Sequence, residues 1–168
     1  MRNLLVLMLL LTVSLSSCKL FDKSATEKEI TEEVKKAMEE ETLLVRISLG
    51  PCFGTCPVFK ASIYEDGTVH YKGSMNVDKM GSYKTTIGRG KINDIRHMIR
   101  TTEFANLNDT YDANIPDFPR FYIAAVVDGE EKKVMSQGDV PENLRSLQKY
   151  LIRVVDEMSG WEKVEEEK

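Results

Sequence analysis

The stretch GPCFGTCPVFK, residues 50–60, sets Cys52 and Cys56 four positions apart between Pro51 and Pro57. Two thiols so placed admit a redox pair, two ligands of a metal site, or a structural disulfide. A redox pair ordinarily has two residues between its cysteines at a helix start. Here three intervene, Phe53, Gly54 and Thr55, ahead of a segment patterned as a strand. A metal site needs more soft ligands than two sulfurs, and the chain offers only His70 and His97, both out of phase with the apolar positions around them. A disulfide needs a bend: residues four apart on a straight strand are about 13 Å apart, whereas bonded cysteines hold their Cα atoms within about 7 Å. Gly54 permits the bend, and the flanking prolines discourage strand continuation. The disulfide is the expectation, with no metal and no cofactor. It would contribute about 2 kcal/mol by closing a very short loop.

Carboxylates are the other candidates for chemistry. Most lie in charge runs, but Asp112 and Asp117 stand in a proline-containing loop with Tyr111, Phe118 and Arg120. Exposed loops of this kind often carry function, although such acids also serve simply to accept nearby backbone amides in turns. Phe53, Tyr111, Asp112, Asp117 and Arg120 form a possible binding loop. A glycine-rich phosphate loop, a nucleophile elbow and a pair of histidines at metal spacing are all missing from the sequence.

The opening MRNLLVLMLLLTVSLSSCKL combines a basic start at Arg2, an apolar run from Leu4 to Leu15 and small residues before Cys18. This is the pattern of a secretory signal, and the run is short of the roughly 20 apolar residues a membrane-spanning helix needs. Leu15, Ser16, Ser17 and Cys18 resemble a bacterial lipobox. That resemblance implies cleavage before Cys18 and acylation of its sulfur and of the new amino terminus. Two or three acyl chains make a stable membrane anchor, since each buried methylene adds about 0.8 kcal/mol. Lys19 after the cysteine favours the outer over the inner membrane, by resemblance to enterobacterial sorting. The expected setting is therefore the cell envelope, an oxidising compartment where disulfides persist. Lipidation of Cys18 leaves Cys52 and Cys56 as an even pair.

The 168-residue chain carries 23 basic and 27 acidic residues, and Arg2 leaves with the signal. No basic patch interleaved with aromatics appears, so nucleic acid is not an expected partner. The segment 18–42 is charged and free of glycine and proline. Ile30, Val34, Ala37 and Met38 recur at helical spacing, and Thr26 with Glu29 has the form of a capping box. The spacing predicts a charged stalk helix over about 27–40.

From Leu43 the pattern turns to strands. LLVRISL is followed, after the cysteine loop, by a hairpin turning at Asp66 and Gly67, with Phe59, Ala61, Ile63, Val69 and Tyr71 on one face. Residues 81–87 suit a fourth strand. KINDIRHMIRTTEF reads as a helix with Ile92, Ile95 and Ile99 on one stripe, and NDTYDANIPDFP as a loop. A second hairpin, FYIAAVV to EEKKVM, turns at Asp128 and Gly129. A final helix keeps Leu144, Leu147, Leu151, Val154, Val155 and Met158 in register. One amphipathic helix cannot bury itself, so two helices on one face of an antiparallel sheet are expected. The reading is a two-layer α+β domain of about six strands, ββββ-α-ββ-α, over 43–160, with residues 1–17 a signal and 161–168 a frayed acidic tail.

CFGTCPVFKASIYEDGTVHYKG, with Gly81, Tyr111, Asp117 and Pro119, resembles a family of bacterial secreted and lipid-anchored domains catalogued only as a domain of unknown function. In that family a cysteine, an aromatic, glycine, a variable residue, cysteine and proline precede a strand and a DG hairpin. Cys52, Phe53, Gly54, Thr55, Cys56, Pro57, Asp66 and Gly67 match this pattern across a likeness running from Leu43 to Glu157. The resemblance implies no activity.

Three functions remain open at this level. A lipid-anchored binding module would present its two loops to an envelope protein or peptide. An envelope enzyme would use Cys52 and Cys56 thiols or loop carboxylates, and a structural lipoprotein would sit within a larger assembly. The anchor has a direct check. In a bacterial host the wild-type chain should incorporate labelled palmitate and lose its signal, whereas Cys18→Ser should do neither; equal labelling of the two would refute lipidation at Cys18.

Overall fold

The computed structural model describes residues 42–115 and 117–165. The signal segment, Cys18 and the stalk helix expected over 27–40 lie outside the described residues. The strands are β1 (Leu43–Leu49), β2 (Val58–Tyr64), β3 (Thr68–Met75), β4 (Gly81–Thr86), β5 (Thr110–Asp112), β6 (Phe121–Val127), β7 (Glu130–Gln137) and β8 (Glu162–Val164). Helix α1 (Arg89–Thr101) follows β4, and α2 (Glu142–Glu157) follows β7. All eight strands join one sheet in the order β5-β7-β6-β1-β2-β3-β4-β8. The class is α+β, as the sequence pattern implies, but the sheet is mixed and has eight strands where about six were expected.

Both additional strands sit at the edges. β5 occupies the proline-free start of the segment expected to be loop and pairs in parallel with β7, Tyr111 opposite Ser136. Met135 N donates to Asp109 O at 2.8 Å just before it. β8 pairs antiparallel with β4, Ser82 opposite Val164 and Lys84 opposite Glu162, in what was expected to be a frayed tail. Trp161 explains the capture. Its Nε1 donates to Met158 O at 3.0 Å and its ring lies 5.4 Å from that of Tyr71, which delivers the next residues to β4's outer backbone groups.

Alternation within the strands sorts the side chains. Val45, Ile47 and Leu49 of β1 turn to the core while Arg46 and Ser48 turn away. Ala61, Ile63, Val69, Ile123, Ala125 and Val134 continue the buried face. Ile92, Ile95 and Ile99 of α1 cover it together with Leu144, Leu147, Leu151, Val154 and Val155 of α2. Asn143 Nδ2 donates to Thr102 O at 2.8 Å, joining the start of α2 to the end of α1.

The two Asp-Gly turns differ. Asp128 and Gly129 both have positive φ, 52° and 86°, as a two-residue hairpin turn requires. In the β2–β3 turn only Gly67 does, at 93°, and Gly67 N donates to Tyr64 O at 3.0 Å, so Glu65, Asp66 and Gly67 make a three-residue loop. A Cβ on Gly67 would stand 2.4 Å from Ile87 O. Asp66 works through its carboxylate instead, accepting Thr68 N and Thr68 Oγ1, both at 2.8 Å.

The Thr68 backbone amide, above all, holds the Asp66 carboxyl below the usual aspartate range; desolvation opposes it, and the Thr68 hydroxyl adds a further lowering. A lowered folded-state pKa adds stability above the ordinary aspartate range and loses it as pH falls through the folded value. Asp66→Ala should therefore melt several degrees below wild type at neutral pH, and the gap should shrink at about pH 2, where the carboxyl is protonated in both states. A gap that is constant with pH in thermal unfolding would contradict this role.

Candidate functional site

The candidate residues of the sequence gather where β1, β3, β5 and β7 end and β2, β4 and β6 begin. Three loops meet at this end: the cysteine loop 50–57, the β3–β4 loop 76–80, and the loop 113–120. Backbone geometry ties them together. Gly50 N donates to Arg120 O at 2.8 Å, joining the first to the third. Asn76 Nδ2 donates to Cys56 O at 3.1 Å, joining the first to the second. Gly73 lets the second loop fold back, because a Cβ there would lie 1.9 Å from Lys79 O.

Cys52 and Cys56 form a disulfide with Cα atoms 5.7 Å apart. Gly54 N donates to Cys52 O at 2.9 Å inside the bend. The sulfurs are thus bonded to each other, and the tip of the loop holds Phe53 out in solvent, 88% exposed.

Gln137, at the end of β7, organises the third loop from beneath. It is buried, and its Nε2 donates to Ile115 O at 3.0 Å and Phe118 O at 2.8 Å. Its Oε1 accepts Arg120 Nε at 3.4 Å. Sequence reading missed Gln137, because a glutamine at a strand end carries no local sign that a loop will fold onto it.

The five residues of the expected binding loop divide. Phe53, Asp117 and Arg120 are exposed at this end. Asp112 Oδ1 accepts Asn114 N at 2.7 Å, a turn-forming role. Tyr111 is half-buried against the core, and its hydroxyl accepts Asn108 N at 3.0 Å. Between the first and third loops lies a cleft of about 460 Å³ with Pro51, Asn114, Phe118, Arg120 and Gln137 among its walls. Cys52, Tyr111 and Asp117 do not line it, so these three do not converge on a common cavity there.

What this end does concentrate is apolar surface. Among the described residues, the exposed large apolar side chains are Phe53, Met75, Met80, Ile115, Phe118, Tyr122 and Val164. All lie at or next to the three-loop end, Tyr122 and Val164 in one cross-strand row just inside it, Val164 on the far edge strand. Met75, Met80 and Ile115 were not singled out from sequence. For Met80 and Ile115 the available signal was large apolar residues inside loops too polar and too short to reach a core, and Met75 ends β3 beside the first of these loops.

Beside the β3–β4 loop, buried Tyr71 and Phe59 pack with half-buried Trp161 as an aromatic group, with Lys79 Nζ 5.9 Å from the Trp161 ring centroid. Burial pushes the Tyr71 phenol above its ordinary range, and Asp156 and Asp78 add to the effect, so it stays protonated at neutral pH. His70 and His97 are both exposed, on β3 and α1. Among the described residues, no three His, Cys, Asp or Glu side chains are grouped to hold a metal ion, and no helix is long and apolar enough to cross a membrane.

A family model described as Domain of unknown function (DUF6438) matches residues 43–155. The match covers most of the chain, including the cysteine loop, β1 to β7, α1 and all but the last two residues of α2, and the chain belongs to that family. No curated protein matches it.

The disulfide predicts a thiol count. The folded mature chain should take up no alkylating agent at Cys52 or Cys56 without reductant, and two equivalents after reduction and unfolding, as read by intact mass. Cys52→Ser with Cys56→Ser should cost about 2 kcal/mol of stability. Free alkylation without reductant would contradict the staple.

Proposed function

We propose that this member of the DUF6438 family is a lipid-anchored interaction module of the bacterial cell envelope, which binds a protein or peptide partner through its three-loop end. The observation that carries the reading is the concentration of exposed Phe53, Met75, Met80, Ile115, Phe118 and Tyr122 at that end. A contiguous apolar surface on a protein marks an interaction site, and aromatic residues with methionine and arginine are the types enriched at interfaces. The hydrogen bonds from Gly50, Asn76 and Gln137 hold the loops in place before any partner arrives. Less ordering is then needed on binding.

The disulfide supports an oxidising compartment. The lipobox-like residues Leu15 to Cys18 support anchorage through acylated Cys18, and Lys19 favours the outer membrane. β1 carries the chain from Leu43 to Leu49, so a tether joined at Leu43 attaches at the end of the strand opposite the apolar loops. That polarity suits presentation to a partner better than insertion of the loops beside the anchor. The enzyme reading loses support, since the thiols are bonded and Asp112 is engaged in a turn.

A photo-crosslinking amino acid placed at Phe53 or Phe118 in the producing bacterium should give one discrete adduct, lost on protease treatment of the partner. The same residue at Asp128, at the opposite end of the sheet, should give none. Phe53→Ser with Phe118→Ser should abolish crosslinking from a probe at Met80 while the melting temperature stays within a few degrees. Equal adducts from both ends, or none from the loop end, would overturn the proposal.

A further inference from the structure

The second face of the sheet carries its own pattern, and it meets the loop end at Tyr122. Arg46, Lys60, Lys72 and Lys84 stand on four successive strands, β1 to β4, all on the side turned away from the helices. The acids of this face, Asp112, Glu131 and Glu162, lie on the outer strands β5, β7 and β8, and Glu131 with Asp109 lines the outer part of the larger groove, where they are ion-paired to Lys133 and Lys132. A chain that is acidic overall therefore has a basic centre on one face. Strands lie about 4.8 Å apart, so the four cations span about 15 Å.

The surface there is grooved. Short side chains alternate with long ones across the strands: Ser48 opposite Lys60, Arg46 opposite Ser62, and Lys72 opposite Ser82. Two adjoining grooves of about 660 and 520 Å³ result, and Arg46 lines both. Arg46 is half-buried and held by its Nε, which donates to Ser62 Oγ at 3.0 Å. Lys60 faces Lys72 directly across neighbouring strands. Apolar side chains flank the basic centre, Tyr122 and Met135 on one side and Tyr64 and Val164 on the other.

From this arrangement we infer that the open sheet face is a second binding site, for an acidic amphipathic polypeptide segment. Carboxylates spaced along such a segment meet the cations, and its apolar residues meet Tyr122, Met135 and Tyr64. Charge complementarity selects the occupant. Lysines predominate, and these act as point charges rather than as the bidentate forks that favour phosphate. The apolar flanks distinguish an acidic peptide from a bare polyanion.

The test uses the chain from residue 19 onward, produced without its signal and without Cys18, and three fluorescent probes of equal charge: a Glu/Leu amphipathic peptide, poly-L-glutamate and polyphosphate. The amphipathic peptide should bind tightest, and its affinity should fall at least tenfold between about 50 and 300 mM salt. Lys60→Glu, at an exposed position of β2, should leave the melting temperature within a few degrees of wild type while affinity drops at least fivefold. Lys60→Gln should give a smaller drop in the same direction. Lys149→Glu with Arg153→Glu, on the exposed face of α2, should change affinity less than twofold. Three results would overturn the inference: no binding at low salt, equal loss in the helix variant, or polyphosphate binding tighter than the peptide, which would make this a phosphate surface.

Discussion

Val45, Ile47, Ile63, Val69, Ile123 and Val134 leave the sheet on the same side, and α1 and α2 close over them with Ile95, Leu144, Leu147 and Leu151. Because strand side chains alternate, burying one set commits the other to the opposite face. A shift of one residue in β1 would exchange Ile47 for Arg46 in the core. The register recorded by Val45 opposite Ala125 and Ile47 opposite Ile123 is therefore held by burial along its whole length. Both proposed binding surfaces follow from this one-sided packing. The loops leave one end of the sheet, and the basic group Arg46, Lys60, Lys72 and Lys84 belongs to the unburied half of the same alternation.

At the loop end, small constraints combine. The disulfide closes the cysteine loop, Asn76 bonds to its Cys56 carbonyl, Gly50 bonds to Arg120, and Gln137 holds the loop above it by two carbonyls. Each is a single local interaction worth about 1 kcal/mol or somewhat more. Together they let apolar side chains stay exposed without collapsing onto the sheet. The cysteine loop thus serves as a mount for Phe53, with the sulfurs bonded to each other beneath it.

The strands from Leu43 to Thr86, both helices and the second hairpin were legible, since each has apolar residues at a period of two or near 3.6 over several positions. Asp112 was legible as a turn-former in principle, and it is one. β5 and β8 were not legible: three residues give no period, and TYD and EKV have no apolar alternation to read. Both exist because a neighbouring edge offers backbone partners and an anchored residue places them there. The Asp66 turn shows a related limit, because an Asp-Gly pair is compatible with two loop lengths and the pairing of Ile63 with Val69 selects the longer.

By itself the sequence determined the one-faced α+β architecture, the bend at Cys52 and Cys56 and the family, because those rest on local periodicity and a contiguous motif. Tertiary structure alone decided that residues 53, 75, 80, 115, 118 and 122 gather at one end and that residues 46, 60, 72 and 84, in two adjacent cross-strand rows, share one basic face. Surfaces of that kind are assembled across strands far apart in the chain. Their members share no spacing, and only the strand order and register bring them together.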